Sequence, residues 1–410
     1  MKIFLSLIIL GSFLLTATVT ADSSGRIYGV ITTVKGDTFE GLIRWDKNEG
    51  NWVDILNGSK KVERSRKEKK SNRKKYGRDK DVSIELFGIK ISGKGFYDFR
   101  SQSDLRFGHI RKMKVLDDDT VLLTLKSGQE FEVTDGSTDI GSSVREIIIE
   151  DASEGEIEFV WEDIDQIKFS EAPKGLDSEL GDRLFGTIYT RRGDNFTGYV
   201  CWDYDEIFTK DILDGDEKGR RRRIKFGKIA SIERYSSSGA TVILKNGKEM
   251  VLKGTNDVNR SNNGIIISDP GFGQVIVKWG EFEKLEFHPA TNELNYADFD
   301  GGRKLVGKVY TEDGDSYEGT IRWDNDEEYT WEILDGEYRN IDFDIEFSLI
   351  RSIAKKSRSS SIITVLDGRS FRLKGSNDVN QDNKGIFVML DDGEEIKIDW
   401  EDFEKVEFRH

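Results

Sequence analysis

The sequence predicts an all-β protein: three tandem copies, each a fused pair of small five-strand barrels, behind an N-terminal export signal. Three observations carry this. Long stretches of the chain recur, apolar residues alternate with period two in short runs, and Gly-bearing polar turns separate those runs. At 410 residues the chain also exceeds what one core usually serves.

Met1 to Ala21 reads as a secretory signal. Lys2 is a thin positive start, Ile3 to Leu15 is an apolar run, and Val19 and Ala21 suit cleavage before Asp22. The run is shorter than the ~20 apolar residues a bilayer span needs, and no later stretch could span, so no transmembrane segment is expected after signal removal. No Cys stands near the cleavage site for a lipid anchor. The expected location is periplasmic or secreted. Export permits disulfides, but Cys201 is the single cysteine, so no bridge within the chain can form.

The copies begin with RIYGVITTVKGDTFEGLIRWD from Arg26, RLFGTIYTRRGDNFTGYVCWD from Arg183 and KLVGKVYTEDGDSYEGTIRWD from Lys304. A constant offset of 121 links Leu252 to Leu373, Trp202 to Trp323, Trp279 to Trp400 and Phe287 to Phe408. The first copy, 25–169, is longer. Trp45 to Phe107 spans 62 positions against 24 from Trp202 to Phe226, leaving 62 − 24 = 38 extra residues, a basic insertion at about 58–95. Repeats two and three span 183–287 and 303–408. Polar segments 170–182 and 288–302, holding Pro173 and Pro289, read as linkers where few contacts should cross.

Each copy divides again. In the second, Leu184 to Thr190 and Phe196 to Trp202 alternate around GDN as a strand pair, two short strands follow near Ile207 to Leu213 and Arg221 to Phe226, and FGKIASIER supplies a tight turn and a last strand. ATVILK, MVLKG, GIIIS, QVIVKW and GEFEKLEF repeat the plan. Five short strands with one helical turn before the fifth is the plan of an SH3-like barrel, whose closure removes vulnerable edges. One larger sandwich per copy is the other arrangement open to this pattern.

The first half of each copy resembles the first signature of Sm-like proteins, a bent strand pair around a Gly turn. The residues carrying the likeness are Gly36, Gly41 and Asp46, then Gly193, Gly198 and Asp203, then Gly314, Gly319 and Asp324. About 25 residues per copy are covered, and the family's second signature is missing. The resemblance implies barrel shape. Sm-like proteins act on uridine-rich RNA inside cells, whereas this chain carries 62 Lys and Arg against 77 Asp and Glu, a net charge of −15. Such a balance opposes nucleic-acid binding and favours solubility.

Candidate sites follow from what recurs and what does not. His109, His288 and His410 are the only histidines and occupy no common place, so neither a Ser-His-Asp triad nor a histidine zinc site is supported, and the abundant acids single out no glycosidase pair. The chain is read as non-enzymatic. In DVNQDNKG, Asp378, Asn380 and Asp382 alternate like calcium-loop ligands, and Asp257 and Asn259 match the first two in copy two. Asn383 and Met389 stand where that loop wants Gly and Glu. The bland reading is Asn and Asp side chains capping their own backbone.

Trp45, Trp202 and Trp323, with Trp161, Trp279 and Trp400, recur and suit core packing. Trp52 and Trp331 lie in comparable loops near the place of Phe208. Cys201 aligns with Arg44 and Arg322, which puts it on the strand face opposite the core.

Ser59 to Lys80 holds twelve Lys or Arg against three acids, and RRRR recurs near the corresponding connection of copy two. The polyanion-binding candidates are Lys60, Lys61, Arg64, Arg66, Lys67, Lys69, Lys70, Arg73, Lys74 and Lys75, with Arg220, Arg221, Arg222 and Arg223. Such runs are usually solvated arms. Together these features read as an exported multivalent protein-interaction or structural module, with a protein partner or self-association. Two alternatives stand beside it: binding of an acidic glycan or anionic lipid through the basic arm, and calcium-dependent binding through the Asn/Asp loops. No cofactor is expected otherwise.

Overall fold

The computed structural model describes residues 23–61, 83–86, 89–92, 100–102, 104–134, 138–291 and 293–410. The expected export signal and the arm residues Arg64, Arg66, Lys67, Lys69, Lys70, Arg73, Lys74 and Lys75 lie outside the described residues.

The described chain is all-β, its strands broken by three-residue helical turns. The first segment forms β1 (Tyr28–Thr33), β2 (Thr38–Trp45), β3 (Ile55–Leu56), β4 (Ser59–Lys61), β5 (Ser83–Leu86), β6 (Ile89–Ser92), β7 (Arg100–Gln102), β8 (Leu105–Arg106), β9 (Ile110–Val115), β10 (Thr120–Leu125), β11 (Glu130–Thr134), β12 (Ile147–Asp151), β13 (Gly155–Phe159) and β14 (Ile164–Phe169). The second forms β15 (Phe185–Thr190), β16 (Asn195–Trp202), β17 (Ile212–Glu217), β18 (Arg220–Lys225), β19 (Ile229–Ser236), β20 (Gly239–Leu244), β21 (Glu249–Lys253), β22 (Ile265–Asp269), β23 (Gly273–Val277) and β24 (Phe282–Phe287). The third forms β25 (Leu305–Thr311), β26 (Ser316–Arg322), β27 (Ile333–Tyr338), β28 (Ile341–Glu346), β29 (Ile350–Ser357), β30 (Ser360–Val365), β31 (Ser370–Lys374), β32 (Ile386–Met389), β33 (Glu395–Ile398) and β34 (Phe403–Phe408).

Ten strands per segment share one pairing order. The first runs β13-β12-β2-β1-β14-β9-β10-β11-β4-β7. The second runs β23-β22-β16-β15-β24-β19-β20-β21-β17-β18. In the third, β33-β32-β26-β25-β34-β29-β30-β31-β27-β28 follows the same path.

This order differs from halves that each close on themselves. Strands cross between halves: β16 pairs with β22 at Val200↔Ile267, and β15 pairs with β24 at Ile188↔Leu285. The crossing goes with a grip between a turn in one half and a loop in the other. After β16, Asp203 accepts the Asn263 backbone N–H and the Asn256 side-chain amide, both from the loop joining β21 to β22. Asp324 holds the backbone of Lys384 and the amide of Asn377 in the same way.

The paired glycines of the hairpin leave no room for a Cβ against the neighbouring strands. Gly186 faces Gly198 across β15 and β16, and a Cβ on Gly198 would sit 2.3 Å from the Ser268 carbonyl oxygen. Gly193, in the turn between these strands, has φ 85°, the left-handed region that glycine adopts freely.

The segments pack against one another rather than hanging on tethers. Strands β23 and β28 pair antiparallel, Val275 opposite Phe343, so the second and third segments share one continuous sheet and one core. The linkers also carry contacts. Phe299 lies T-shaped on His109 with ring centroids 5.1 Å apart, and Tyr296 Oη donates to the Ile110 carbonyl at 2.9 Å. Among the described residues no helix is long and apolar enough to cross a membrane.

Candidate functional site

Two kinds of polar feature stand out: the junctions between segments, and the strand edges left without a neighbour. Buried charge marks the first. Arg183 Nη2 donates to both oxygens of Asp54 at 3.1 and 3.2 Å, and Arg44 Nη1 donates to Asp211 Oδ1 at 3.0 Å. Arg26 stacks over Phe208 at 4.1 Å. Between first and third segments, Arg106 Nε lies 3.3 Å from Glu346 Oε2, and His109 Nε2 lies 3.3 Å from the same oxygen. Burial alone would raise Glu346, but Arg106 and His109 hold it below the ordinary carboxylate range. Phe131 and Trp331 stack with ring planes 4° apart, beside the Lys60–Glu332 ion pair.

The loop aromatics Trp52, Phe208 and Trp331 are therefore all buried, and they serve packing. Cys201 departs from the expected exposed face. It is buried with Ile207, Phe208, Ile266 and Ile276, because the outward face of β16 turns toward the first segment, whose Arg44 and Arg26 cover Phe208. Burial pushes its thiol well above the ordinary range.

The calcium-loop candidates are engaged by the chain itself. Asp257 Oδ2 accepts the Asp214 N–H at 2.6 Å, and Asp378 Oδ2 accepts the Asp335 N–H at 3.0 Å. Their carbonyls receive the indole N–H of Trp202 at 2.9 Å and Trp323 at 3.1 Å. Asn259 and Asn380 cap the backbone N–H two residues on, at Ser261 and Asp382, by 2.7 and 2.6 Å, while Asp382 itself is exposed. Among the described residues no three His, Cys, Asp or Glu side chains gather as a metal site.

A carboxyl drawn away from solvent also recurs four residues after Trp45, Trp202 and Trp323: Glu49 and Glu327 are buried and Glu206 is half-buried. Burial pushes Glu206 up to about 11, with Asp205 and Asp257 adding to it, and moves Glu49 and Glu327 the same way. Sequence reasoning passed over these three among many acids; their constant spacing from Trp was the available signal.

The histidines stand apart. His109 Nδ1 accepts the Gly301 N–H at 3.2 Å, His288 meets Thr187 Oγ1 at 3.0 Å, and His410 Nε2 lies 2.9 Å from the Ile350 carbonyl.

Of the polyanion candidates, Arg220, Arg221, Arg222 and Arg223 lie on β18, whose only paired neighbour among the described residues is β17. Arg221 pairs with Asp214 at 3.2 Å, and Arg222 Nε donates to Glu217 at 2.9 Å. Lys60 is spent on Glu332 at a segment junction, and Lys61 ends β4. Comparison with protein families, curated proteins and solved structures finds no match.

Proposed function

We propose that this chain is a non-enzymatic exported repeat protein, a multivalent structural or protein-interaction module. The single observation carrying this reading is the β23–β28 pairing, in which one segment extends the sheet of the next through backbone hydrogen bonds and an apolar core. Strand addition of this kind is a general means of joining proteins.

Each ten-strand sheet is read as two SH3-like barrels that exchange strands. One uses β24, β15, β16, β22 and β23, the other β19, β20, β21, β17 and β18, and the β19–β24 pair joins them. Residues 1–21 direct export, which places the module in the periplasm or outside the cell.

Crosslinking of the native source followed by mass spectrometry tests this. The expected result is a chain beginning at Asp22 in the exported fraction, with protein crosslinks at exposed strand edges. An uncleaved chain confined to the cytoplasm, or an exported one crosslinked to nothing, overturns the reading.

A further inference from the structure

The joint between the second and third segments is a template. In it β23 lies antiparallel on β28 with Gln274↔Asp344, Val275↔Phe343, Ile276↔Asp342 and Val277↔Ile341 opposed. Gln274 Nε2 donates to Asp344 Oδ2 at 2.9 Å, and at the hairpin tip Arg339 Nη1 donates to Asp194 at 3.1 Å. The strands matching β23 elsewhere are β13, in the first segment, and β33, in the third; those matching β28 are β7, in the first, and β18, in the second. Among the described residues neither β13 nor β18 has a second neighbour, since β13 pairs with β12 and β18 with β17. The first segment is instead held against the others by Arg183–Asp54 and Arg106–Glu346.

The template can be carried onto these two edges residue by residue. The offset from β13 to β23 is 273 − 155 = 118, and from β18 to β28 it is 341 − 220 = 121. Gln274↔Asp344 then becomes Glu156↔Arg223, and Ile276↔Asp342 becomes Glu158↔Arg221. Phe159 falls opposite Arg220 and Ile157 opposite Arg222. The tip contact Arg339–Asp194 becomes Lys218–Asp37, the matching turn residues of the two segments. Every charged pair so generated joins opposite signs, and Glu156, Glu158, Arg221 and Arg223 are all exposed.

We propose that β13 of one chain adds to β18 of a second copy of this chain, forming a head-to-tail interface in the register of the internal joint. This deepens the module reading by naming the partner. Arginine on an open edge discourages indiscriminate strand pairing, and here it selects an acidic strand. The β33 edge is a poorer fit: the same transfer sets Lys397 opposite Arg221, like charges that oppose pairing. Overall net charge of −15 works against association at long range, but an ionic strength of ~0.1 M screens beyond ~10 Å and spares pairs in contact. Because the two edges differ, the contact is heterologous and closes into a ring or continues as a filament.

The test is the molar mass of the mature chain by light scattering, from ~0.1 M to ~1 M salt. The expected mass is at least twice the monomer at low salt and falls toward the monomer at high salt. E156R/E158R and R221E/R223E should each remain monomeric when alone, with circular dichroism of the folded protein, and should associate when mixed, since each supplies the edge the other needs. A monomer under all conditions, or a mixture that stays monomeric, overturns the proposal. So does loss of association through E395R rather than E156R/E158R, which would make β33 the strand. Wild-type chain that stays monomeric yet binds heparin through β18 assigns that edge to a polyanion and also overturns it, while leaving the module reading to the crosslinking result.

Discussion

Arg106 Nε and Glu346 Oε2 lie 3.3 Å apart with both side chains almost wholly buried, an ion pair joining the first segment to the third. His109 shares the same carboxylate. Removing one partner strands a buried charge, which typically costs ~3–5 kcal/mol, whereas replacing both with apolar groups costs far less. Arg106→Met should therefore lower unfolding stability by about 3 kcal/mol, and Arg106→Met with Glu346→Met should recover much of the loss. Urea unfolding of the wild type and these two variants measures it; equal losses in the single and double variants would show that packing, not charge, dominates.

The two glycine types of the strand bend should respond differently. Gly198→Ala drives a Cβ to 2.3 Å from the Ser268 carbonyl, an overpacking cost of about 1–3 kcal/mol or more. Gly193→Ala meets open space and suffers only its φ of 85°, about 1–2 kcal/mol. Asn tolerates that conformation, so Gly193→Asn should be milder than Gly193→Ala, while Gly198→Asn should be worse than Gly198→Ala. Melting temperatures of the four variants give the ranking.

Glu206 ties stability to pH with a definite sign. Its folded value of about 11 stands above the ordinary 4.5, with burial the main cause, so the folded chain keeps a proton that the unfolded chain releases. The stability this contributes is present below pH 4.5 and is lost as pH rises toward 11, by at most ~1.4 kcal/mol per unit. Glu206→Gln removes the slope. It should melt near wild type at pH 4.5 and several degrees higher at pH 8; parallel curves for the two proteins would refute the assignment.

Cys201 should be inert in the native protein. Burial among Phe208, Ile207 and Ile266 excludes reagent and raises the thiol, so an aromatic disulfide should titrate it only through the unfolding transition. Rapid reaction under native conditions would show that the first segment leaves this face.

Much of the architecture was legible locally. Period-two alternation located both strands of the Phe185–Trp202 hairpin, and the GD turns fell where Gly193 and Gly314 take positive φ. Trp45, Trp202 and Trp323 were legible as core for the same reason, continuing the alternating apolar face, and Trp161, Trp279 and Trp400 by their recurrence. Cys201 was not legible as buried, and packing of the loop aromatics was legible without what they pack on, because the surfaces covering them come from another segment. Trp331 is covered by Phe131, two hundred positions away in sequence.

The candidate site was half legible. The four arginines of β18 were visible as a charge run, but their place on a strand with one open edge among the described residues follows from which strands pair with which. Likewise the Asn-rich loops looked like ligand sets by spacing, and the hydrogen bonds from Asp214 and Asp335 give their carboxylates a structural task.

The sequence by itself determined an all-β chain with self-similar segments, its turn positions and the inward face of most strands, since side-chain alternation and glycine conformation are local properties. Only the tertiary structure decided that strands cross between halves, that β23 joins β28, and that β13 and β18 each keep an open edge among the described residues. Backbone N–H and C=O groups are alike in every strand, so which edges meet is settled by long-range packing and by side chains such as Asp203 that grip a distant loop.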